Sequence, residues 1–137
     1  MIEISFPGGL RVDAEAFGTT ISTDQPARAG GDGSAPAPFL LFLASIGTCA
    51  GIYVLSFCRQ RGIPTDDIRI RQSMAANPVT GALEHVGLDI QVPPSFPMKY
   101  HAALVKAANS CAVKKALENP PSFQTSVNVA GQAQAAK

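Results

Sequence analysis

From Gly33 to Cys58 the chain runs for 26 residues without an Asp, Glu, Lys or Arg. The later part of that run, FLLFLASIGTCAGIYVLSFC at positions 39–58, has the length and apolarity of a helix able to cross a bilayer. It also contains Gly47-x-x-x-Gly51, the spacing by which membrane helices pack closely. Two structures accommodate such a run: a membrane span, or a central helix of a globular domain buried on most of its circumference. The surroundings favour the second. The flanking segments alternate apolar and polar residues and need a core to cover one face, and the N-terminal flank is rich in Gly and Pro rather than in interfacial aromatic residues. Small residues on the helix (Ala44, Ser45, Gly47, Thr48, Ala50, Gly51) let a sheet or a second helix approach. A chain of 137 residues wraps such a helix only in part, so a partner subunit is expected to complete its burial, with no membrane involved.

The limits of this helix are marked locally. Pro38 suits its first turn, Arg59 and Arg61 complement the negative end of its dipole, Gly62 suits the left-handed residue after it, and Pro64 stops it. Before it, Ile2, Ile4 and Phe6, then Leu10, Val12, Ala14 and Ala16, then Thr20-Ile21-Ser22 alternate around glycine turns and predict a three-stranded antiparallel meander. After it, Ile68, Ile70 and Gln72 pair across the loop Asn77–Gly81 with Val86, Leu88, Ile90 and Val92. Ser95 is a candidate N-cap for a second helix from about Pro97 to Leu117, and Phe123, Thr125, Val127 and Val129 predict a last strand. The order is α+β: one domain over residues 1–130, with 131–137 as a disordered tail.

Charge and motifs exclude several functions. Eleven basic and ten acidic residues leave a net charge of +1 with no basic cluster, so no nucleic-acid partner is expected. The start MIEISFPGG has neither the basic nor the apolar region of a signal peptide, and three cysteines without a CxxC pair do not make a disulfide framework. A cytoplasmic location is expected. His85 and His101 share no ligand spacing with a cysteine, and Gly30-Gly31-Asp32-Gly33 lies in no strand–turn–helix phosphate context. Neither a metal nor a cofactor is expected.

The cysteines remain. Cys49 is in mid-helix, and Cys58, nine residues on, falls on the opposite side. Cys111 lies in the later helix, where Asn109 and Ser110 allow a break and restart, and free N–H groups of a first turn stabilise a thiolate. All three also fit as small buried hydrophobes.

The segments APAPFLLFLASIGTCAGIYV and NSCAVKKAL resemble the OsmC/Ohr superfamily, named for osmotically inducible protein C and organic hydroperoxide resistance protein. Pro38 stands eleven residues before Cys49, Cys111 follows in a later helix, and Gly30-Gly31-Asp32-Gly33 matches the loop before the proline. The resemblance implies antiparallel sheets wrapped around a long central helix in an intertwined homodimer, with sites at the subunit interface. It implies thiol-dependent reduction of a small hydroperoxide, with Cys49 as the peroxidatic and Cys111 as the resolving cysteine, and with an external dithiol as reductant. Cys58 has no counterpart in the pattern. The activating cation expected by resemblance is Arg11, in Gly8-Gly9-Leu10-Arg11, with Arg28 as second choice. The family pattern also has an acid one or two residues after the proline to hold that arginine; here Phe39 and Leu40 occupy those places, and Asp32 is the nearby loop acid. An apolar setting raises a thiol's pKa, so Cys49 is expected to be inert unless Arg11 or Arg28 lies beside it. The alternative reading is a non-catalytic dimeric protein of the same fold that binds a small apolar ligand or senses redox state.

Overall fold

The computed structural model describes residues 1–131. The meander forms β1 (Glu3–Gly8), β2 (Arg11–Ala16) and β3 (Thr19–Thr23), and α1 spans Pro38–Arg59. A hairpin of β4 (Arg69–Ala76) and β5 (Leu83–Gln91) follows, then α2 (His101–Ala108) and α3 (Ala112–Glu118). The two sheets, β1-β2-β3 and β4-β5, are both antiparallel, and the chain is α+β.

α1 begins and ends as its sequence predicts. Pro38 occupies the first turn. At the other end Gly62 takes a φ of 63°, and Arg61 donates to the carbonyl of Phe57 (3.1 Å) with its guanidinium 3.7 Å above that ring. The Gly47-x-x-x-Gly51 spacing serves the approach of β4. A Cβ on Gly47 would lie 2.6 Å from Gln72 Oε1, and one on Gly51 would lie 3.8 Å from Ile70 Cδ1. Gln72 uses that room to donate its Nε2 hydrogen to the carbonyl of Leu43 (2.9 Å). The core forms where α1 meets α2 and the hairpin: Ala50, Val54, Phe57 and Cys58 pack with Ile68, Phe96, Leu104 and Ala108.

Within one chain the central helix is wrapped only in part: 17% of its apolar window is buried, and Phe39, Leu40 and Ile52 are exposed. One chain supplies cover for a single face. The second helix is two, with Cys111 between them at φ −51°, ψ 126°, and it starts late: Ser95 caps nothing, and a single 3-10 turn (Met98–Tyr100) precedes α2. Residues 119–130 form no strand, and Phe123 and Val127 are 90% and 96% exposed. Alternation specifies a face, but a strand also needs an edge to bond to, and residues 119–130 pair with none of the open edges of the β1-β2-β3 and β4-β5 sheets. The tail expected from Gly131 onward lies, beyond that residue, outside the described residues.

The loop between β3 and α1 is clasped by a buried carboxylate. Asp24, 1% exposed, accepts from the N–H and hydroxyl of Ser34 (2.9 and 2.7 Å) and from the N–H of Gln25 (2.7 Å). A Cβ on Gly31 would sit 2.0 Å from the Gln25 carbonyl oxygen, so only glycine lets this loop fold back. The Ser34 hydroxyl, followed by the Ser34 N–H, holds the Asp24 carboxyl below its ordinary pKa. A lowered folded-state pKa means that the clasp stabilises the fold above the ordinary carboxylate range and is lost as the pH falls through the lowered value. Asp24→Asn is therefore expected to lower the urea midpoint at pH 7 and to flatten its fall in acid. Superimposable profiles for the two proteins would contradict this.

Candidate active site: two thiols at a helix junction

Cys49 lies one turn beyond Ile46 on α1 and is half-buried. Cys111 is 1% exposed and sits where α2 has ended and α3 begins. Its sulfur accepts the N–H of Lys114 (3.4 Å), which makes it the N-cap of α3, and its thiol points at the carbonyl of Ile46 (3.9 Å). The break after α2 thus places the start of α3 against α1 and brings two cysteines 62 positions apart in sequence to one point.

At that point the two thiols are driven apart in acidity. Cys49 is held below the ordinary thiol pKa, first by the backbone N–H of Val113, then by the thiol of Cys111, with the N–H of Ala112 adding to them against the cost of burial. Cys111 is pushed up, chiefly by burial. The free N–H groups of the restarted helix act on both thiols: those of Val113 and Ala112 lower Cys49, whereas on Cys111 burial outweighs those of Lys114 and Val113. No cation is among the groups that lower Cys49, so within one chain the shift comes from α3 and not from an arginine. Alkylation by iodoacetamide is accordingly expected to show a pH midpoint for Cys49 below that of a free cysteine, and for Cys111 above it. Indistinguishable midpoints would contradict the assignment.

Arg11 sits on β2, where its Nη2 pairs with Asp13 Oδ2 at 2.9 Å and lies 3.5 Å from the Ser22 hydroxyl. Asp13 was not singled out by the sequence, although residues two apart on a strand share a face and Arg11-x-Asp13 carries that signal. Asp32, the loop acid, lies instead by the β1–β2 turn, its Oδ2 3.9 Å from where a Cβ on Gly9 would be. Arg28 is exposed in a single 3-10 turn, Ala27–Ala29. Cys58 is fully buried, and burial raises its pKa. Phe42 lines an apolar groove of about 500 Å³ between the first half of α1 and β5, with Phe39, Ile46, Val86 and Leu117. Ile46 links this groove to the thiols. Among the described residues no group of three His, Cys, Asp or Glu is placed to hold a metal ion.

The family model described as OsmC-like protein matches residues 31–126, a span that contains both cysteines of the junction. No curated protein matches the chain significantly in sequence. In three dimensions the chain is similar to an osmotic stress induced and detoxification response protein from Psychrobacter arcticus 273-4, at 24% identity and a TM-score of 0.66 over 84% of this chain and 85% of that one. It is similar to an organic hydroperoxide resistance protein OsmC from Legionella pneumophila, at 20% identity and a TM-score of 0.54 over 85% and 87%. It is also similar to the organic hydroperoxide resistance protein OhrB of Bacillus subtilis, at 20% identity and a TM-score of 0.52 over 88% and 92%. At these identities the three structures establish a common fold.

Proposed function

The chain belongs to the OsmC-like protein family, and from that premise we propose that it is a cytoplasmic, thiol-dependent peroxidase that reduces organic hydroperoxides as a homodimer. The observation that carries the reading is the helix junction itself, where Cys111 caps α3 and points at the carbonyl of Ile46 on α1 beside Cys49, with the acidities of the two thiols shifted in opposite directions. A two-cysteine peroxidase needs a nucleophile that is ionised and a neighbour that keeps its proton. The Cys49 thiolate attacks the distal oxygen of the hydroperoxide. The O–O bond breaks, the alcohol leaves as an alkoxide that takes up a proton, and Cys49 becomes a sulfenic acid. The Cys111 sulfur then displaces that oxygen as water, its proton leaving with it, and a Cys49–Cys111 disulfide forms. An external dithiol restores both thiols by exchange and is itself oxidised to its disulfide.

Two further observations support an organic substrate: the groove beside Ile46 is apolar, and two of the similar structures are organic hydroperoxide resistance proteins. A homodimer is supported by surfaces that one chain leaves open. Ile4 and Ile21 share a face of the meander and are exposed, as are Leu40 and Ile52 on α1 and Phe123 and Val127 near the C-terminus. A second copy covers such faces most simply by exchange of the meander, and this arrangement carries Arg11 to a Cys49 at the subunit interface as the cation that polarises the peroxide.

Consumption of tert-butyl hydroperoxide in the presence of a dithiol tests the activity, and sedimentation equilibrium tests the assembly. Turnover by a species of twice the chain mass is expected. The absence of a charged group among those that shift Cys49 favours the non-catalytic alternative to one extent: it predicts a thiolate that is formed but not coupled to peroxide. Under that reading Cys49 alkylates readily, yet one equivalent of peroxide produces no Cys49–Cys111 disulfide.

A further inference from the structure

We propose that Asp13 is the positioning residue for Arg11, the acid that fixes the guanidinium for the peroxidase reaction; this rests on the reading that Arg11 serves Cys49. Asp13, Arg11 and Ser22 lie together on the polar face of the meander, with Asp13 directly opposite Ser22 in the β2–β3 register. Asp13 is 8% exposed. Its Oδ2 takes the Arg11 Nη2 hydrogen at 2.9 Å, while its Oδ1 and the Nε of Arg11 are buried without a hydrogen-bond partner among the described residues.

This arrangement is a poor stabilising device. A pair that leaves one carboxylate oxygen and one guanidinium nitrogen desolvated costs more than a pair that satisfies every atom, and packed apolar residues commonly replace such pairs without loss. Stability therefore does not account for a carboxylate at this position. Orientation does. The guanidinium is planar and rigid, so fastening its Nη2 to Asp13 and Ser22 fixes the plane. The side chain nonetheless remains 40% exposed, and Nη1 makes no hydrogen bond among the described residues. One edge is anchored and the other is presented outward. The first turn of α1 supplies no acid for this purpose, since Phe39 and Leu40 stand there.

Single-turnover oxidation of Cys49 by tert-butyl hydroperoxide, followed by mass spectrometry across pH, tests the assignment in Asp13→Asn, Asp13→Glu, Arg11→Ala and the Asp13→Asn/Arg11→Ala double variant. Loss of a negative charge by itself would lower the thiol pKa of Cys49 and speed the reaction. Positioning predicts the opposite: Asp13→Asn slows oxidation by about tenfold or more, Asp13→Glu recovers part of it, and Asp13→Asn has no further effect once Arg11 is alanine. A purely structural Asp13 would give losses that add in the double variant and that Asp13→Glu does not repair. If the unaltered protein is oxidised and Asp13→Asn is as fast or faster, or the effects add, the assignment is overturned and the peroxidase reading stands. If the unaltered protein is not oxidised at all, both fall.

Discussion

Cys49→Ser is expected to abolish hydroperoxide consumption, with a loss of at least about a thousandfold, because a serine hydroxyl in the same place has neither the ionisation nor the nucleophilicity of a thiolate. Cys111→Ser is expected to behave differently. Its Cys49 still reacts once, gaining one oxygen atom as a sulfenic acid that a dimedone probe traps, and turnover with the dithiol then falls because no neighbour displaces that oxygen. The two variants separate the roles. If Cys111→Ser lost the first oxidation while Cys49→Ser kept it, the assignment of nucleophile and resolving thiol would be inverted. If neither variant changed consumption, the junction would have no part in the reaction. The prediction turns on the N–H groups of Val113 and Ala112, which lower Cys49, and on the burial that raises Cys111.

The largest effect on stability is expected from Leu104→Ala. Leu104 is 2% exposed and lies in the core cluster between α1 and α2. Its truncation removes buried methyl groups and leaves a cavity that the helices close only in part, at a cost of about 2–5 kcal/mol. Chemical denaturation at fixed protein concentration reads this as a lower midpoint with an unchanged slope. Because α2 leads directly into the Cys111 junction, the same variant should loosen the contact with α1 and return the Cys49 alkylation midpoint toward that of a free cysteine. A stability loss within a few tenths of a kcal/mol of zero would mean that α2 does not anchor the junction.

How much was legible depended on the range of the forces involved. The limits of α1 could be read because a proline, two arginines and a glycine act within a turn or two of their own position. The β4–β5 hairpin could be read for the same reason: Asn77 Oδ1 accepts the N–H groups of Val79 and Thr80 at 2.9 and 3.0 Å, closing the turn from within. The expected strand over 123–129 failed because its alternation contains no information about which edge would receive it. The expected helix from Pro97 to Leu117 was correct in composition but silent on the late start, since no side chain between Ser95 and Tyr100 caps it.

The sequence by itself determined that a long charge-free helix carries Cys49 and that Cys111 sits at a point where a later helix can restart. It also placed Arg11 just past a glycine turn. These are properties of neighbours along the chain. Only the tertiary structure decided which thiol is the more acidic, because the N–H groups that lower Cys49 belong to α3 and reach it through packing. Only the tertiary structure decided that the partner of Arg11 is Asp13 rather than Asp32. Acidity and ion pairing fall off within a few ångströms, so they follow the contacts of the folded chain and not its order.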